Sequence, residues 1–177
     1  MATFAEAIAK TLLFEGGYVN DRADSGGETY RGISRVNWPK WDGWKSIDRW
    51  KETRFSYDIA FPSCLDNDSN LQGLVCKFYL KNFWFYDGLL DQDLANQVFD
   101  LSVNVGRVHA IKILQQVVGT NQDGSYGPNT ERLANGHPQG SLEPLVRTAA
   151  ENYHKAIITS HPEDAKFLKG WLARDDG

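Results

Sequence analysis

The chain is poor in the devices that hold small proteins together from outside their own core. Cys64 and Cys76 are its only cysteines in 177 residues, and neither has a His or another Cys at metal-ligand spacing. That favours two ordinary thiols over a disulfide framework or a structural zinc, and a chain of this length buries enough core to fold without either. Charge of one sign is missing too. Nineteen basic against 23 acidic residues leave a formal net charge of −4, spread along the chain, which excludes the dense basic footprint of a nucleic-acid partner. Nowhere does the sequence approach the ~20 consecutive apolar residues of a transmembrane segment. The four histidines, His109, His137, His154 and His161, are scattered and show neither metal spacing nor a nucleophile partner, so no metal and no cofactor is expected.

What the chain does have is one glycine-dense stretch, Glu15-Gly16-Gly17-Tyr18-Val19-Asn20-Asp21-Arg22-Ala23-Asp24-Ser25-Gly26-Gly27-Glu28-Thr29-Tyr30-Arg31-Gly32-Ile33-Ser34. Ahead of it, Thr3-Phe4-Ala5-Glu6 has the form of a capping box, and Phe4, Ile8, Thr11 and Leu12 recur at helical spacing. Together they predict a helix that Gly16-Gly17 close, with Glu15 as its last residue on the apolar face. Partial burial and the negative end of the helix dipole would both favour the neutral carboxylic acid there, as a general acid requires. From Tyr18 to Ser34 the pattern reads as a small β-hairpin turning at Ser25-Gly26-Gly27, folded back over the helix end. Such a hairpin brings Asp24 and Thr29 towards Glu15. Acid-catalysed cleavage of a glycosidic bond needs a second polar group of this kind, to activate water or stabilise the developing cation. Asp24 has a secondary reading as an Asx-turn residue, and Thr29 reads equally as an ordinary strand residue.

The spacing Glu-Gly-Gly-Tyr-x-Asn-Asp-x-x-Asp-x-Gly-Gly-x-Thr-x-x-Gly-Ile-Ser resembles the signature of the N-acetylmuramidases of glycoside hydrolase family 108, found in phage endolysins and in proteins once called secretion activators. Phe99-Asp100-Leu101-Ser102-Val103-Asn104-Val105-Gly106 and the C-terminal Phe167-Leu168-Lys169-Gly170-Trp171-Leu172 resemble later elements of the same family. Arg22 and Tyr30 stand where that family more often has Pro and Asn. The resemblance implies a mainly α, lysozyme-like fold, a helical bundle with a small β-hairpin next to the active-site helix. It implies hydrolysis of the β-1,4 bond between N-acetylmuramic acid and N-acetylglucosamine, with Glu15 as acid and Asp24 and Thr29 beside it. Tyr18, Asn20, Tyr30, Asn104 and Tyr126 are its candidate substrate contacts, although Asn104 suits a cap on its own helix as well.

Further along, Trp38, Trp41, Trp44 and Trp50 crowd a segment whose Pro39 and Gly43 argue for a Trp-rich loop or lid, most of the indoles buried and one or two left to line a saccharide groove. Asp68 or Ser69 caps a predicted helix through Phe83, Asp93 opens one that Gly106 stops, and Ala110 to Val118 mark the next. Asp123-Gly124-Ser125-Tyr126-Gly127-Pro128-Asn129-Thr130 reads as a turn and is similar to a recurring element of small peptidoglycan-binding modules. We therefore expect residues 1–90 to form a muramidase lobe and residues 91–177 a helical, peptidoglycan-binding-like lobe, packed as one compact unit. The alternative is a non-catalytic peptidoglycan-binding accessory of a secretion system. Residues 1–14 lack a basic n-region and an apolar h-region. Synthesis in the cytoplasm without a cleavable signal peptide is thus expected, with a holin or secretion-system partner giving access to glycan strands in the periplasm or cell wall.

Overall fold

The computed structural model describes residues 1–20, 27–57 and 60–175. Helix α1 (Phe4–Thr11) precedes three short strands, β1 (Tyr18–Asn20), β2 (Glu28–Tyr30) and β3 (Ile33–Ser34). Helices α2 (Gly43–Tyr57) and α3 (Ser69–Phe83) follow, separated by a 3-10 turn at Ser63–Asn67. The remainder is helical: α4 (Gln92–Val105), α5 (Arg107–Val117), α6 (Pro128–Asn135), α7 (Glu143–Ser160), a 3-10 turn at Pro162–Phe167, and α8 (Leu168–Asp175). The mainly α composition with one small sheet matches the fold that the family resemblance implies. Two compact units emerge, one of residues 12–82 and one of residues 1–11 with 83–177.

In the unit of residues 12–82 the strands pair antiparallel in the order β1-β2-β3. Tyr18 stands opposite Tyr30, Val19 opposite Thr29 and Asn20 opposite Glu28, while Thr29 also faces Ser34. The expected hairpin is thus a three-stranded sheet. Its β2–β3 connection is a two-residue turn, Arg31-Gly32, with φ of 47° and 75°. Positive φ at both central positions is what the tightest hairpin turns require, which is why a two-residue strand suffices to continue the sheet. The Trp-rich segment is also not simply a loop. Gly43 begins α2 instead of interrupting it, and from there Trp44 and Ile47 turn inward at 3% and 0% exposure. Glycine disfavours helix interiors, not helix starts, so Gly43 was a boundary read as a breaker. Of the crowded indoles, Trp44 is buried, Trp41 and Trp50 are half-buried and Trp38 is 40% exposed.

Helix α3 opens as expected on Asp68, whose Oδ1 accepts from the amide of Leu71 at 3.0 Å. The other Asp68 oxygen accepts from the indole N–H of Trp50 at 2.8 Å, so one carboxylate both caps α3 and anchors α2. Burial raises the Asp68 carboxyl, yet the Trp50 bond and the backbone amides outweigh it and hold it below the usual carboxylate range.

The other unit is built on α4. Phe4 of α1 sets its ring edge-to-face on Trp84 and Phe99, at centroid distances of 5.8 and 5.7 Å. Val98, Phe99, Ile111, Leu114 and Val146 are 0–1% exposed and form the interior between α4, α5 and α7. Asp91, two residues before the expected Asp93, caps α4 by accepting from the amides of Asp93 and Leu94. Its side chain is free to do so because its own backbone is extended, as an N-cap demands. Gly106, at φ 85°, separates α4 from α5. Gln115, 2% exposed on α5, donates to Asp123, to the carbonyl of Ser125 and to Thr130, and accepts from the amide of Gly124. The Asp123–Thr130 turn is therefore wired from beneath. Arg174 of α8 grips Asp100 of α4 with two bonds of 2.8 and 2.9 Å.

Candidate functional site

Helix α1 ends at Thr11, one turn earlier than expected, and residues 12–14 form a turn with Leu13 and Phe14 exposed. A helix reaching Glu15 would draw its closing hydrogen bonds from the amides of Gly16 and Gly17, the residues least able to hold helical geometry. Glu15 consequently follows the helix and is not placed by its dipole. The β2–β3 turn positions it instead. The amide of Arg31 donates to the carbonyl of Gly17 at 3.3 Å, stitching the backbone just past Glu15 to that turn.

There the Glu15 carboxyl occupies the space a side chain at Gly32 would need. A Cβ on Gly32 would overlap one Glu15 carboxyl oxygen, stand 2.8 Å from Cδ, and lie 2.7 Å from the hydroxyl oxygen of Tyr79. Carboxyl, glycine and phenol thus share one small volume at the sheet edge. Tyr79, 1% exposed on α3, donates to the carbonyl of Arg31 at 2.6 Å, bracing the turn that receives Glu15. Arg31 itself, a non-glycine residue at positive φ, is held by its guanidinium donating to Asp66 at 2.8 Å. Strain of this kind persists only where surrounding contacts over-determine it.

A second carboxylate of the stretch has a different setting. Glu28 accepts from Tyr18 at 3.1 Å, from Arg35 at 2.9 Å, and from Lys51. Arg35 also bonds Asp48 at 2.6 Å and lies over the Trp44 ring at 4.7 Å. Burial lowers Lys51, but its bonds to Glu28 and Tyr18 more than offset that and raise it; burial raises the Tyr18 phenol. Two cations compensate Glu28, which makes it a framework group fastening the sheet to α2.

The candidate residues fall out as follows. Tyr18, Asn20 and Tyr30 lie on one face of the sheet with Glu28, since opposed residues share a face; Thr29 lies on the other with Val19 and Ser34. Thr29 bonds the carbonyl of Gly27 at 3.4 Å. Tyr30 is 1% exposed, donates to Asp66 at 3.4 Å and accepts from Gln72 at 2.7 Å, so in this structure it is a core residue. Asp24 lies outside the described residues. Asn104 and Tyr126 belong to the other unit. Asn104 Nδ2 is buried and has no hydrogen-bond partner among the described residues. Tyr126 sets its ring edge-on to Tyr86 at 5.2 Å and donates to Glu131 at 3.3 Å. Burial, with Glu131 nearby, raises its phenol strongly. Sequence reasoning missed Tyr79, Glu28, Arg35, Asp48 and Lys51. Asp48 and Lys51 are three apart and so share one helical face, but that signal is readable only once α2 is known to be a helix.

Among the described residues, no group of three or more His, Cys, Asp or Glu is placed to hold a metal, and no helix is long and apolar enough to cross a membrane. The family model described as Glycosyl hydrolase 108 matches residues 8–106, more than half of the chain. No curated protein sequence matches it. Among solved structures the chain is similar to that of Brucella abortus SagA, with a TM-score of 0.66 and 23% identity over 98% of this chain and 89% of that one. At that identity the likeness carries the fold alone, and it supports the mainly α, lysozyme-like architecture.

Proposed function

The chain belongs to the glycosyl hydrolase 108 family, and from that premise we propose that it cleaves the β-1,4 bond between N-acetylmuramic acid and N-acetylglucosamine with Glu15 as general acid. Membership itself makes the chain a glycoside hydrolase and implies action on peptidoglycan. The choice of acid rests on one observation: Glu15 is set into the Arg31-Gly32 turn beside the Tyr79 hydroxyl, whereas Glu28 is neutralised by Lys51 and Arg35. A carboxylate already accepting from Tyr18, Arg35 and Lys51 is engaged by the framework.

In this reading Glu15 transfers its proton to the glycosidic oxygen as the C–O bond breaks, and water supplies the hydroxyl that completes the reducing end. Asp24 activates that water or stabilises the oxocarbenium-like cation, and Thr29 orients it. Tyr18 and Asn20 contact the glycan from the sheet, while Tyr30 supports them from the core. Asn104 and Tyr126 are carried as contacts from the region proposed to bind peptidoglycan, residues 91–177. Access to the wall through a holin or a secretion system belongs to the same proposal.

Mass spectrometry of products from purified sacculi tests it, with wild type beside Glu15→Gln. Muropeptides with N-acetylmuramic acid at the reducing end are expected from wild type, with the variant slower by roughly 10²–10⁴ from lost proton transfer alone. A Glu15→Gln protein as active as wild type ends this assignment. Sacculi bound by the wild type with no glycosidic bond cut would point to a non-catalytic accessory instead.

A further inference from the structure

Along α3, a groove of about 480 Å³ runs between the segment 37–42 and that helix. Nothing in the proposed acid chemistry uses it. We propose that it binds the acidic peptide stem of a peptidoglycan strand, with a sugar ring or acetamido group on Trp38 and stem carboxylates at Lys40, Lys77 and Lys81. This rests on the peptidoglycan reading above and adds a subsite to it.

The wall of the groove is aromatic and fixed. Trp38, 40% exposed, sets its ring edge-to-face against Phe78 with centroids 4.8 Å apart and planes at 88°. Its carbonyl accepts from the indole of Trp44 at 2.8 Å. Trp41 donates its own indole N–H to the carbonyl of Leu74 at 3.4 Å. An exposed indole packed edge-to-face on Phe78, on a backbone tied to Trp44, offers a flat apolar face at reduced ordering cost on binding, as carbohydrate stacking needs. Asn82 donates its Nδ2 to the carbonyl of Phe78 at 2.8 Å, which turns its side-chain oxygen into an acceptor at the groove for an acetamido N–H.

The rim is cationic, in a protein of net charge −4. Lys40, Lys77 and Lys81 line the groove, and among the described residues none is ion-paired to a carboxylate, so three cations face one lining at once. Lys77 and Lys81 are one turn apart on α3, a like-charge spacing that destabilises a helix unless something answers it. The one carboxylate in the lining, Asp42, is taken by Lys45 at 2.8 Å. Nucleic acid does not suit a groove with one short basic rim in a chain of net charge −4. A neutral glycan would leave the lysines unanswered. Peptidoglycan satisfies both halves, since each muramic acid carries a peptide whose side chains and terminus bear carboxylates. Helix α3 serves both places, with Tyr79 beside Glu15 and Phe78 in the groove, their rings 5.3 Å apart.

The test compares ligands with and without an acidic stem. Calorimetric titration of the Glu15→Gln protein uses a disaccharide tetrapeptide, neutral tetra-N-acetylchitotetraose and a phosphorylated glycan. Tighter binding of the stem-bearing ligand is expected, and Lys77→Gln with Lys81→Gln should weaken it on the order of tenfold while leaving the neutral sugar unchanged. Trp38→Ala should weaken both. In the otherwise wild-type enzyme, the double lysine variant should raise KM on intact sacculi at constant kcat, and do nothing on glycan strands stripped of their stems by an amidase. Equal affinity for stem-bearing and neutral ligands overturns the proposal, as does a preference for the phosphorylated glycan, or a KM that rises equally on stripped strands. A wild type that cuts neither substrate overturns the function itself. One that cuts both regardless of the lysines overturns only the stem subsite.

Discussion

A carbon added at Gly32 would come within 2.8 Å of the carboxyl carbon of Glu15, residues 17 positions apart that share a single pocket of space. Gly32 therefore does two things: it accepts the φ of 75° that the tight turn imposes, and it leaves room for the acid. Gly32→Ala should separate them. The left-handed backbone costs about 1–2 kcal/mol for a residue with a Cβ, which urea denaturation will register. The displaced carboxyl should cost activity on the order of 10², as ångström-scale misplacement of a catalytic group does. A variant that loses stability by this amount but digests sacculi at the wild-type rate would show that Glu15 does not act from that position.

Tyr79→Phe removes the hydroxyl that donates to the Arg31 carbonyl and keeps the buried ring. The carbonyl loses its side-chain donor, which costs about 1–3 kcal/mol if nothing replaces it. Because the turn it braces receives Glu15, kcat on sacculi should fall with KM little changed. A variant with raised KM and intact kcat would instead place Tyr79 in ground-state binding.

The features visible in the sequence are those encoded within a few neighbouring residues. Asp68 at the head of α3, Gly106 between α4 and α5, and the Asp123 turn each announce themselves through local backbone chemistry. Glu15 stood out because its carboxylate adjoins paired glycines, although the helix stops at Thr11 and the reason first given for its burial does not hold. What stayed hidden depends on pairing across the chain. The apposition of Glu15 to Gly32 follows from an amide of Arg31 meeting a carbonyl of Gly17, and the compensation of Glu28 requires α2, whose start at Gly43 looked like an interruption. A two-residue strand such as Ile33–Ser34 has no periodicity to detect.

Acid should loosen the unit that carries the site. The Asp68 and Asp48 carboxyls are both raised by burial but held lower overall, by Trp50 and backbone amides in one case and by Arg35 and Lys51 in the other. A carboxyl depressed in the folded state contributes stability above its unfolded pKa of about 3.9 and loses it as pH falls through the folded value. Thermal unfolding followed from pH 6 to pH 2 should therefore show Tm falling below about pH 4. Asp68→Asn should start lower at pH 6 and fall less steeply, since it retains an acceptor but cannot titrate. A variant with the wild-type slope would remove Asp68 from the explanation.

The two carboxylates that frame the glycine-dense stretch should fail in opposite ways. Glu28 has a side chain 11% exposed and answers Lys51 and Arg35, so Glu28→Gln leaves both cations with Asp48 as their remaining counter-charge. Weakening a part-buried, charge-assisted network that keeps Asp48 costs about 1–3 kcal/mol, and the loss should appear as a lower urea midpoint. Well below that midpoint the folded fraction should still cleave, because Glu28 is not asked for a proton. Glu15→Gln should show the reverse, a near-normal unfolding curve and no comparable turnover. Measured side by side, the two variants separate the carboxylate that holds the sheet from the one that works at its edge. Turnover abolished in folded Glu28→Gln protein would transfer the acid's role to Glu28.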